Sequence, residues 1–262
     1  MSAPGGLRVE GLAVRYGGNL AVSDVSLEAP LGQIVGLIGP NGAGKTTTFS
    51  GCTGLLRLAE GRVHLGDRDI TDLPPQRRAQ LGLGRTFQRM ELFDSLTVTD
   101  NIALGREAGY AGSRPLAHLR ARRREVAETR EAVARSLAVC GIEHLADRPV
   151  ISLSTGQRRL VELARAMAAR TSVLLLDEPS SGLDHNETEA FGRILVSLAA
   201  EGVGILLVEH DMSLVMSICD HLYVLDFGRL IFDGTPAEVA ASDVVRQAYL
   251  GGEIAALQED PA

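Results

Sequence analysis

Apolar and polar positions divide the chain into recognisable elements. Residues 7–35 read as short strands broken by turns: LRVEGLAVRY, a Gly17-Gly18 turn, LAVSDVSLEA, then GQIVGLIG. A further strand–turn pair is predicted near GRVHLGDRDI, 61–70. IVGLIG runs into a glycine-rich loop, and TTTFSGCTGLL continues from it as a helix. Residues 98–147 read as mostly helical, with an arginine-rich surface between Leu119 and Arg135. TGQRRLVELARAMAA, 155–169, sets Leu160, Leu163, Ala164, Met167 and Ala168 at helical spacing, which predicts one apolar face. VLLLD (173–177) and GILLVE (204–209) are uninterrupted apolar runs, each preceded by a helical segment. Parallel strands buried on both faces carry that pattern. The end of the chain, EIAALQEDPA from Glu253, reads as a frayed tail.

Composition narrows the class. A chain of 262 residues, 45% hydrophobic, can bury a substantial core as one large domain or two intimate lobes. Its net charge of -7 argues against general nucleic-acid binding, which needs a basic footprint. Cys52, Cys140 and Cys219 are far apart and odd in number, so neither a disulfide framework nor a zinc site is expected, and a reducing compartment fits. The stretch MSAPGGLRVE lacks the apolar segment of a signal peptide. No run approaches the roughly 18 apolar residues that a membrane-spanning helix needs.

The chemistry starts at GPNGAGKTTTFS, 39–50, which holds the only lysine in the chain. Gly39, Gly44, Lys45 and Thr46 fit G-x-x-x-x-G-K-[ST]. In such a loop, residues Gly39, Pro40, Asn41, Gly42, Ala43, Gly44 and Thr47 wrap phosphate oxygens, and every one of them except Pro40 can turn a backbone N–H inward. The following helix turns its positive end toward them. Lys45 adds a compact charge on a flexible stem, where the wide planar fork of arginine would not enter. Thr46 offers a hydroxyl to Mg²⁺. Asp177, at the C-terminal end of a buried strand, can hold the water shell of that ion. Glu178 can orient or deprotonate an attacking water. The plain alternative for both carboxylates is capping before Pro179. A single lysine also leaves none for the N/T-K-x-D segment with which most GTPases read guanine.

LSTGQRR, 153–159, closely resembles the signature of ATP-binding cassette (ABC) ATPases, and flanking motifs match in order across nearly the whole chain. Tyr16 stands where that family stacks an aromatic ring on adenine; strand core is the alternative for it. Gln88, in GRTFQ, stands at the Q-loop, where the family contacts metal and attacking water. Ser181-Gly182-Leu183-Asp184 matches the D-loop, and His210, in LLVEHDM, the switch histidine. Thr155 departs from the glycine usual there, and its side chain narrows the signature turn.

The resemblance implies an α/β fold: a P-loop NTPase with a RecA-like core, an N-terminal antiparallel β subdomain and an α-helical signature subdomain. One domain over 7–252 is expected, with the β subdomain and core at about 7–87 and 166–236, the helical subdomain at about 88–165 and a C-terminal segment at 237–252. It further implies ATP and Mg²⁺ as ligands, with Ser154, Thr155, Gly156, Gln157 and Asp184 reaching nucleotide held by a second ATPase subunit, identical or not. Gln88 and the helical lobe would carry motion to two integral-membrane permeases at the cytoplasmic face of a bacterial membrane, served indirectly by a solute-binding protein. GRTFQRMELFDSLTVTDNI (84–102), the helical insertion with its RRRE segment, VEHDM and the AYLGG ending (248–252) resemble the branched-chain amino acid uptake ATPases most closely. A lipopolysaccharide-export ATPase is the second transport option. A soluble ABC protein of DNA repair or ribosomes is disfavoured, because the interval from Gln88 to the signature is too short for a coiled-coil arm. Arg120, Arg122, Arg123 and Arg124 read as a solvated helix face, with phospholipid headgroup contact as the alternative.

Overall fold

Strands β1 (Leu7–Tyr16) and β2 (Asn19–Ala29) pair antiparallel, and their register closes at Tyr16↔Asn19. Gly17 and Gly18 therefore form the whole turn, and Gly17 takes φ 59°, a region open to glycine. Strands β4 (Glu60–Leu65) and β5 (Arg68–Asp69) complete a four-stranded sheet ordered β2-β1-β4-β5. The computed structural model describes residues 5–86, 90–108 and 118–249.

The second sheet has six strands. It combines β3 (Ile34–Ile38), β6 (Leu83–Arg85), β7 (Val173–Asp177), β8 (Gly204–Val208), β9 (His221–Asp226) and β10 (Arg229–Gly234) in the order β10-β9-β3-β8-β7-β6. Only the β9–β10 pair is antiparallel. Every residue of β3, β7 and β8 is buried, which is why these segments read as unbroken apolar runs. Alternate side chains serve two cores. Ile34, Leu174, Leu176, Ile205 and Leu207 face one cluster, shared with the helices. Val35, Leu37, Val173, Leu175 and Leu206 face the other, shared with the antiparallel sheet and with Phe49. The P-loop NTPase architecture with its antiparallel β and helical parts follows from this layering.

Helices α3 (Val98–Ala108), α4 (His118–Cys140) and α5 (Thr155–Ala168) pack on one another within the first cluster. Here the predicted apolar face of α5 is incomplete. Leu163, Ala164 and Ala168 are buried, Leu160 and Met167 only half-buried, and Arg159 and Glu162 are buried beside them as an ion pair of 3.1 Å. Flanked by α3 and α4, α5 buries more than one side, and the pair neutralises what periodicity assigned to solvent. Helices α6 (His185–Ala200), α7 (Met212–Ile218) and α8 (Pro236–Ala241) cover the rest of the sheet. The side chains of Arg120, Arg122, Arg123 and Arg124 lie outside the described residues.

The helix after the glycine loop, α1 (Lys45–Cys52), is shorter than its sequence pattern, and Gly54 at φ 75° ends it. Arg78 of α2 (Pro75–Gln80), 2% exposed, donates to Gly51 O at 3.0 Å and Cys52 O at 2.6 Å. It also donates to Leu73 O at 2.9 Å and Thr71 O at 2.6 Å. A buried cation thus completes the C-terminal carbonyls of the P-loop helix and complements its dipole. A Cβ on Gly54 would lie 2.8 Å from Arg78 Nε, so glycine also makes room for the guanidinium. Arg78→Met should lower stability by about 3 kcal/mol and the melting temperature by roughly 5–10 °C. An unchanged thermal unfolding curve would mean that other donors satisfy these carbonyls.

Candidate nucleotide-binding site

The glycine loop leaves β3 at Ile38. Gly39 adopts φ 147°, and a Cβ there would meet Leu225 O at 2.0 Å, so the loop starts by pressing main chain against the end of β9. Gly44 caps α1 at φ 102° and, having no side chain, accepts nothing from the first amides of that helix. Those donors and the helix dipole are directed at whatever anion enters the loop. Lys45 Nζ donates to Gly39 O at 2.6 Å and Pro40 O at 2.9 Å, which spans the mouth of the loop. Burial lowers its pKa, and the Glu178 and Asp177 carboxylates work against that shift. Asn41, Gly42 and Thr46 are exposed, Pro40 and Thr47 half-buried, and Ala43 buried.

Asp177 ends β7 at 3% exposure, and burial pushes its carboxyl upward. Opposing that shift, Arg85 donates to its Oδ2 at 3.2 Å. The same guanidinium reaches Ser50 Oγ and Thr53 Oγ1, both at 3.2 Å, and lies 5.9 Å over the Phe49 ring. Sequence reasoning passed over Arg85. The available signal was an arginine at the end of GLGR, a short strand beside the buried strand that ends in an acid. β6 pairs with β7 at Arg85↔Leu175, two residues from Asp177.

Glu178 takes φ 49°, left-handed space that a non-glycine residue rarely adopts, and its N–H donates to Val208 O at 2.9 Å. His210 leaves β8 with its side chain 65% exposed. Tyr16, the last residue of β1, is 53% exposed and so is not core; its ring offers an open face beside the turn. Gln88 lies outside the described residues.

The signature turn is built on α5. Ser154 Oγ accepts from Gln157 N at 3.2 Å, and Gln157 Oε1 accepts from Ser154 N at 3.1 Å, a reciprocal capping box. Asp184 and Glu187 repeat the device at the start of α6, at 2.8 and 3.1 Å. The two caps pack on each other. A Cβ on Gly156 would fall 2.3 Å from Glu187 Oε1, and one on Gly182 3.2 Å from the Thr155 methyl group. Thr155 therefore fills space beside the 181–184 segment. Gly156 lets the two helix starts approach, a packing demand that sequence reasoning did not anticipate.

Residues 22–181 match the family model of the ABC transporter, and residues 229–255 that of the branched-chain amino acid ATP-binding cassette transporter. The chain is 40% identical over 249 residues to the high-affinity branched-chain amino acid transport ATP-binding protein BraF of Pseudomonas aeruginosa, covering 94% of this chain and 97% of that one. It is 36% identical over 247 residues to the lipopolysaccharide export system ATP-binding protein LptB of Acidithiobacillus ferridurans, with 94% and 97% coverage. The nucleotide-free crystal structure of an ATP-binding cassette from an ABC transporter superposes with a TM-score of 0.82 at 30% identity, covering 94% of this chain and 98% of that one. With a glycine loop and a buried acid at the ends of parallel strands, a capped signature helix, and matches that run nearly end to end, the chain belongs to the ATP-binding subunits of ABC transporters.

Proposed function

We propose that this chain hydrolyses ATP to drive an importer of branched-chain amino acids, working as one of a pair of ATPase subunits beneath two membrane permeases. The observation that carries the reading is the glycine-capped N-terminus of α1, with Lys45 spanning the loop before it and the buried Asp177 carboxylate behind it. It is a phosphate site whose anion supplies the missing charge. The match at 229–255 and the likeness to BraF support the solute class. Among the described residues, no helix is long and apolar enough to cross a membrane. The permeases of the proposed complex would hold the chain at the cytoplasmic face.

The residues divide the work. Amides of 39–47 and the Lys45 ammonium bind the phosphates, while Tyr16 stacks on adenine. Thr46 and Asp177 would hold Mg²⁺, with Gln88 joining them. A hydroxyl at a helix start and a buried carboxylate fit a hard cation that keeps part of its water shell. When bound, the ion would offset phosphate charge that develops in the transition state. Glu178 orients the attacking water and takes its proton, and His210 contacts the transferred phosphoryl group. Ser154, Thr155, Gly156 and Gln157, with Asp184, cap nucleotide held by the P-loop of a second subunit. One chain thus holds two half-sites, and closure requires the pair. Loss of the terminal phosphate lets the halves part, and the helical lobe passes that motion to the permeases.

Export of a lipopolysaccharide-type lipid is a second reading, favoured by the 36% identity to LptB. Co-purification from native membranes separates the two. The import reading expects hydrophobic permeases and an ATPase stimulated by a solute-binding protein loaded with leucine, isoleucine or valine. Stimulation by lipopolysaccharide alone would select export, and recovery with ribosomes or DNA would remove both. Glu178→Gln should bind MgATP normally yet turn it over at least about 100-fold more slowly, and near-normal steady-state hydrolysis would refute its role as base. Lys45→Ala should weaken nucleotide affinity in an equilibrium binding assay; unchanged affinity counts against the phosphate assignment.

A further inference from the structure

We infer that Glu209 is a positioning residue for hydrolysis, a buried carboxylate that ties the segment carrying Glu178 to the loop carrying His210. The inference rests on the roles proposed above for those two residues. Strands β7 and β8 run parallel and remain in register to Asp177↔Val208. One more main-chain bond, Glu178 N to Val208 O at 2.9 Å, extends that pairing, and there the two strands diverge into their loops. The Glu209 side chain, with no exposed surface, takes over at this point. Its Oε1 accepts from Ser180 N at 2.7 Å, on the far side of Glu178. Its Oε2 accepts from His210 N at 3.1 Å and, more distantly, from Asp211 N at 3.5 Å.

The chemistry of the group matches its surroundings. A carboxylate only accepts, and every backbone partner here is an N–H donor. Amide donors offset the burial of the carboxylate, and His210 Nδ1 lies 3.8 Å from Oε2. That separation is too long for a hydrogen bond, so Glu209 holds the main chain of His210 and not its ring. On the other side, Ser181 N donates to Glu178 O at 3.2 Å, so Ser180 belongs to the tight turn that keeps Glu178 at φ 49°. A left-handed glutamate persists only where its neighbours fix it, and Glu209 anchors the turn from the adjacent strand. The two groups proposed to act on the attacked phosphate thereby share one rigid support.

Glu209→Gln has the same shape but must turn an NH₂ group either toward Ser180 N or toward the amides of His210 and Asp211, which breaks one side of the tie. In the full-length chain within its membrane complex, this variant should lower kcat for MgATP roughly 10- to 100-fold, because misplaced groups lose rate. Its affinity for MgATP should stay within about two-fold of wild type, since the phosphate loop is untouched. Glu209→Asp, which keeps the charge but is too short to reach both segments, should show the same split and covers the case in which the glutamine variant does not fold. In a Glu178→Gln background, Glu209→Gln should reduce single-turnover hydrolysis by no more than about two-fold, because residues acting as a unit are non-additive. Wild-type kcat in both variants would overturn the inference. So would joint loss of MgATP affinity and thermal stability, or a full multiplicative loss in the Glu178→Gln background; each marks a merely structural carboxylate. If wild type in its complex fails to hydrolyse MgATP, the proposed function itself fails, independently of Glu209.

Discussion

The site depends on parallel pairing of β3, β7 and β8 across the middle of one sheet. Because the strands run the same way, the loops that carry Lys45, Glu178 and His210 all leave from the same edge, the C-terminal one, where open α/β sheets bind ligands. Parallel strands need covering on both faces, and here the helical layer and the antiparallel sheet supply the cover. Replacing one central strand by an exposed or alternating segment would leave a face uncovered and move three loops at once.

Polar groups buried along the first helix and at that edge have specific partners, and their pairing gives the site its rigidity. Arg78 holds the carbonyl end of the P-loop helix, while Arg85 bridges Asp177 to Ser50 on the same helix and to Thr53 just after it. Glu209 then bridges the loops after β7 and β8. A charge taken out of water is tolerated only where donors or acceptors converge on it, so each arrangement is over-determined. The Arg85–Asp177 pair also keeps a carboxylate proposed as a metal ligand neutralised and oriented within the protein.

The signature turn and the 181–184 segment form a second rigid unit. Two reciprocal capping boxes lie start to start, with Gly156 against Glu187 and Gly182 against Thr155. In the proposed pair of subunits, this packing would let a change at the start of α6 reach Ser154 without a flexible link.

Much was legible in the linear chain because its signals are local. Apolar runs announce parallel strands, and the paired glycines the hairpin turn. The lone lysine in its glycine loop points by spacing alone to the phosphate site proposed here, since successive residues of one loop can contact one anion. Tertiary structure decided what depends on residues distant in sequence. Arg85 meets Asp177 across 92 positions, Ser180 meets Glu209 across 29, and Arg78 reaches Gly51 across 27. Arg159 and Glu162 lie on a face that helical periodicity assigns to solvent, and only packing against α3 and α4 buries them. Likewise, the need for glycine at 39 and 156 comes from the Leu225 carbonyl and the Glu187 carboxylate, which chain folding brings within reach. Periodicity reports how a segment faces its own surroundings; charge pairing and close backbone approach require knowing which segments become neighbours.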